Sequence, residues 1–134
     1  SIYQEKWFAR LDEGKRLHFK RSGQRLFGLL LQYSTRSDAG EVFLEEARRT
    51  AREYGVICYQ AGLSITDTVK ALLFFRRSLL DAVSEASALN GPYDVEGQRL
   101  YKRMSDFFDA ILLDIVQSYC DAQAQNASGS VKGR

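Results

Sequence analysis

The stretch "LNGPYD", Leu89 to Asp94, holds the chain's one proline inside a run of turn formers, and it separates two strongly periodic segments. Before it, Ile65, Val69, Leu72, Leu79 and Val83 recur at helical spacing; after it, Leu100, Met104, Phe107, Ile111, Ile115 and Tyr119 do the same. Two helices folded back on each other about Gly91 and Pro92 follow from that pattern. Working outward, "STRSDAG" (Ser34 to Gly40) and "AGLS" (Ala61 to Ser64) supply two further breaks. In the second of these, Gly62 suits the left-handed position that closes a helix and Ser64 the N-cap of the next. Three breaks make four helices, predicted over about Tyr3 to Tyr33, Ala39 to Ala61, Ile65 to Leu89 and Val95 to Ala124, with boundaries good to about two to four residues. The predicted fold is all-α: a bundle of four long helices, in a globin-like or four-helix arrangement, expected to dimerise.

The faces of these helices differ. The fourth has its apolar stripe opposite Lys102, Arg103, Asp106, Asp109 and Gln117, and the second sets Phe43, Ala47, Ala51, Tyr54 and Cys58 against Glu45, Glu46, Arg48, Arg49, Arg52 and Glu53. The third is apolar nearly all round, with Leu73, Phe74 and Leu80 beside its main line, which makes it either central or shared between subunits. A homodimer through the third and fourth helices is therefore expected, with Phe74 and Leu80 as its anchors.

The first helix changes character: "KRLHFKRSGQR" (Lys15 to Arg25) has five basic residues in eleven, and "LFGLLLQY" follows. Its first half, with an amphipathic start at Trp7, Phe8 and Leu11, is expected to project. Residues 1–24 are read as a helix leading in from an upstream domain, 25–124 as the bundle and 125–134 as a disordered tail, because "NASGSVKGR" is small and polar. A chain opening at Ser1 is equally compatible with a fragment and with a tag-cleavage scar.

Within the third helix, "ALLFFRRSLLDAV" (Ala71 to Val83) places Arg76 and Arg77 side by side among apolar residues. In an antiparallel hairpin about Gly91 and Pro92, facing positions have numbers summing to about 183. Arg76 then falls near Asp106 and Phe107, within reach of Asp106 or Asp109, and Arg77 has Asp81 one turn along its own helix. A structural ion-pair role is preferred for this group, with anion or partner binding as the alternative.

Length and composition narrow the function classes. A chain of 134 residues is one domain with room for a real core. Its longest apolar run, Leu26 to Leu31, is far too short for a bilayer, and the charged N-terminal stretch is no secretory signal. A cytoplasmic location is the expectation. A net charge of +2 is too mild to mark a nucleic-acid surface, and direct DNA contact through Lys15 to Arg25 is not the favoured reading. His18 is the only histidine and Cys58 and Cys120 are far apart, so no histidine-based metal cluster and no hydrolytic triad can be assembled, and a haem-ligand role for His18 is not the favoured reading. The ten glycines form no phosphate loop. No cofactor and no enzymatic activity are expected.

The stretch "AREYGVICYQAGLSITDTVKALLFFRRSLLDAV" (Ala51 to Val83) resembles the helical, non-haem globin-like sensor domains of bacterial stressosome sigma-factor regulators. It is also similar to the equivalent domains that follow an excisionase-like or MerR-type DNA-binding head in transcription regulators, where a segment like "RLFGLLLQY" (Arg25 to Tyr33) follows a charged helix. The likeness covers most of Arg25 to Tyr119. It implies a dimeric regulatory module that passes a signal to an attached output or DNA-binding domain without catalysis, and it assigns no ligand residues; the alternative is a haem-free helical bundle that binds a small molecule.

Overall fold

The computed structural model describes residues 9–36 and 40–132, with side chains through residue 128. It consists of four helices: α1 (Glu13–Thr35), α2 (Gly40–Gln60), α3 (Ile65–Leu89) and α4 (Val95–Lys132). Among the described residues there is no strand, and no helix is long and apolar enough to cross a membrane.

Each helix end has a local cause. Asp12 caps α1 by accepting a 2.8 Å hydrogen bond from the Lys15 amide, while Leu11 turns into a small cluster with Phe19, Cys58, Leu63 and Tyr119. That cap and that burial break the single first helix expected from Tyr3; residues 3–8, including Trp7 and Phe8, lie outside the described residues. Gly62 ends α2 at φ +80°. The Leu63 amide reaches back to the Cys58 carbonyl at 3.1 Å and the Gly62 amide to the Tyr59 carbonyl at 3.1 Å, the paired bonds of a Schellman closure. Ser64 then caps α3 by accepting from the Asp67 amide at 3.0 Å. In the third turn Gly91 takes φ +99°, and Asp94 caps α4 through the Gly97 amide at 3.1 Å. That bond, with the Asn90 amide adding to it, holds the Asp94 carboxyl below its ordinary pKa.

The three other helices all pack on α4, and its most extensive partner is α2. The core joins Leu26 and Leu30 of α1, Ala47 and Ala51 of α2 and Leu80 of α3 to Met104, Phe107, Phe108, Ile111 and Ile115 of α4. The central helix is thus α4. Of the two roles expected for α3, the central one does not hold: Thr68 and Leu80 are its buried residues, and its extensive packing is with α4. At the crossing of α2 and α4 the backbones meet at Gly55, where any Cβ would run into the Ser118 hydroxyl and the Ile115 carbonyl.

One expected posture and one expected boundary change. The division drawn at residue 24 falls inside α1, and the basic first half of that helix does not project: Phe19 and Ser22 are buried, and Phe19 meets the Tyr54 ring edge-on at 4.9 Å between centroids. At the other end α4 runs past Ala124 to Lys132, because extending a helix already in progress costs little even for small polar residues.

Candidate functional site

The two arginines of α3 part company. Arg76 reaches across to α4, donating to the Ser105 hydroxyl at 2.8 Å and approaching the Asp109 carboxylate at 3.4 Å. Asp106, the other carboxylate within the expected reach, is instead taken by Lys102 on its own helix at 3.0 Å. Arg77 is exposed, and among the described residues it forms no ion pair with Asp81. The arginines face different ways because successive residues on a helix are turned by about 100°: one meets α4 and its neighbour meets water.

The two expected interface anchors also separate. Phe74 is 58% exposed and packs edge to face on Phe75. Leu80 is only 4% exposed and belongs to the core beside Met104 and Phe107, so it is spent on the fold and offers nothing to a partner. Leu73 and, on α4, Leu113 stand exposed with Phe74.

A cavity of about 340 Å³ lies between α1 and α3 with α4 as its floor. Phe19, Leu26, Phe27 and Leu30 form one wall, Ala71, Leu72, Phe75 and Leu79 the other, and Phe107, Phe108, Ile111 and Ile115 the floor. Phe27 and Phe75 line it yet remain exposed, which marks its mouth. Every charged side chain is excluded from the lining; its polar side chains are Gln24, Tyr54, Thr68 and Cys58. Thr68 donates to the Ser64 carbonyl at 2.8 Å. Burial pushes the Cys58 thiol up to about 12, with the Thr68 hydroxyl opposing that shift. The thiol is therefore a neutral, inert wall group, while Cys120 is exposed on α4. His18 lies outside this cavity, in a separate hollow with Asp12, Lys15 and Gln60. Among the described residues no group of histidine, cysteine and carboxylate side chains could hold a metal ion.

The stripes of α1, α3 and α4 all contribute residues to the cavity, and their periodicity marks them only as apolar. Nothing in a one-dimensional pattern says which apolar positions meet and which stay apart. Two polar side chains of α4 join it to its neighbours. Arg103 donates to the Tyr33 and Arg36 carbonyls and lies 4.4 Å over the Tyr33 ring, closing the C-terminal end of α1. Asp114 accepts from Arg48 at 2.7 Å with Arg52 at 3.8 Å, tying α2 to α4. A basic residue opposite a helix end and an acidic one opposite an arginine row are signals that become readable once helix neighbours are known.

Comparison with known protein families, with curated proteins and with solved structures finds no match to this chain.

Proposed function

We propose that this chain is a non-catalytic sensor and dimerisation domain of a bacterial transcription regulator, working in the cytoplasm and passing a signal to an attached output or DNA-binding domain. One observation carries the reading: α3 is apolar on two sides and its extensive packing is with α4 alone. Its inner side, Leu72, Phe75 and Leu79, walls the cavity. Its outer side leaves Leu73 41% and Phe74 58% exposed. A helix so placed can sense what fills the cavity and report it to a second copy, since any shift on one side moves the other. Exposed apolar side chains grouped in this way are what a partner covers, and a symmetric homodimer is the simplest cover. The resemblance of Ala51 to Val83 to sensor domains of signalling regulators points the same way.

The interface is assigned to the exposed side of α3 and to α4, with Phe74 as anchor, the exposed Leu73 and Leu113 contributing to it, and Leu80 withdrawn to the core. Sedimentation equilibrium tests it. The parent chain is expected as a dimer, and Phe74→Glu as a monomer of unchanged helix content, because it sets an unpaired charge into the contact. A parent mass that stays monomeric at every concentration, or a Phe74→Glu variant as dimeric as the parent, overturns the reading. A second reading, a haem-free bundle that binds a small molecule with no regulatory output, draws on the cavity alone.

A further inference from the structure

We infer that the cavity between α1, α3 and α4 is a binding site for a neutral, ring-bearing apolar small molecule, with its one polar group turned toward Gln24 at the mouth. The inference deepens the sensor reading above and rests on it for the purpose of binding, though not for the site itself.

Size comes first. About 340 Å³ lies in the range of sites that enclose small ligands, about 300 to 1,000 Å³, and it is far more than the gaps that close packing leaves in a core. The floor includes Phe107, Ile111 and Ile115, each only 1% exposed and part of the main core cluster, so the hollow reaches into the bundle core. Its two walls belong to α1, held chiefly by α2, and to α3, held by α4.

Chemistry comes second. A charged ligand group would be stripped of water here with no opposite charge in the lining to meet it, a cost that no contact in this cavity offsets. Neutral ligands carry no such cost. Of the polar lining groups, the Thr68 hydroxyl is turned to the Ser64 carbonyl and Cys58 holds a neutral thiol. Gln24 is exposed on the α1 side of the mouth, and its amide makes no side-chain hydrogen bond among the described residues. It can both donate and accept. The walls and floor are dense in rings: Phe19, Phe27, Tyr54, Phe75, Phe107 and Phe108. Rings set at varied angles favour edge and face contacts with another ring over an alkyl chain.

Titration of the full chain with N-phenyl-1-naphthylamine, a neutral two-ring probe whose fluorescence rises in apolar surroundings, tests the site. Saturable binding of one probe per chain is expected. The sulfonated anionic analogue, 8-anilinonaphthalene-1-sulfonate, is expected to bind at least tenfold more weakly. Ala71→Phe, which fills the cavity from the α3 wall, is expected to weaken the neutral probe at least tenfold; Leu79→Phe serves the same end should the first variant lose helix content. Val42→Ser, at an exposed position of α2 outside the cavity lining, is expected to leave probe affinity unchanged. Probe binding by a parent chain that proves monomeric supports the cavity and removes only the dimer reading. No saturable binding, equal binding of the two probes, or full affinity in both filled and folded variants overturns the inference. So does probe binding that appears only when Trp7 and Phe8 are both changed to Ser, since the cavity would then belong to the chain's own N-terminal residues.

Discussion

At Gly55 α2 approaches α4 closely, and the space left there is smaller than a methyl group. Gly55→Ala is therefore expected to destabilise the fold by about 1–3 kcal/mol, as overpacked cores do, although alanine is the better helix former; urea unfolding measures it. The two thiols make a second contrast. At pH 8 a disulfide reagent is expected to modify Cys120 rapidly and Cys58 only after denaturation, because thiolate is the reactive form and Cys58 is both buried and held neutral. The sign of the pH effect follows. A thiol whose pKa rises from 9.0 unfolded to about 12 folded keeps more protons in the native state, so its contribution is complete below pH 9.0 and declines as the pH climbs toward about 12. A Cys58→Ala chain should show a shallower alkaline loss over that interval.

The elements are tied together chiefly through α4, by a few polar contacts laid across its apolar stripe. Arg103 closes α1, Asp109 meets Arg76 of α3, and Asp114 receives Arg48 of α2. Arg103 is the most demanding of these, since its planar fork serves backbone carbonyls of α1 while its face covers the Tyr33 ring. Arg103→Ala is expected to cost about 1–3 kcal/mol by losing bonds that involve a charged donor, and Arg103→Lys to recover little of it, because an ammonium cannot reproduce the fork. Thermal or urea midpoints check both. For the exposed pairs, such as Lys102 with Asp106, removal of either partner should be nearly silent, in keeping with a value of about 0–1 kcal/mol for solvated ion pairs.

At the scale of the molecule, α3 is the helix with divided loyalties. It gives Leu80 to the core, Leu72, Phe75 and Leu79 to a cavity, and Phe74 to the outside. Leu80→Glu and Phe74→Glu should therefore fail in different ways. The first is expected to unfold the bundle, as an unpaired charge in a core does, and circular dichroism would register lost helix. The second is expected to keep its helices and lose only its partner. Equal loss of helix in both variants would show that α3 has no free side.

The four helices, their turns and the caps at Gly62 and Ser64 were legible in the sequence, because these are local: Gly62 and Gly91 each take a positive φ that other residues resist, Ser64 accepts from the Asp67 amide three residues on, and a period of 3.6 marks an apolar stripe wherever it stands; the Asp12 cap that starts α1 was not read. The hairpin symmetry about Gly91 and Pro92 was enough to bring Arg76 within reach of Asp106 or Asp109, and the fold selects Asp109 because Lys102 takes Asp106. What only the tertiary structure decided is which apolar surface meets which. Leucines at positions 73, 79 and 80 are alike as residues, yet Leu80 fills the core, Leu79 lines a cavity and Leu73 faces out. The difference arises because α3 has its extensive packing with α4 alone, a long-range fact that no local propensity encodes.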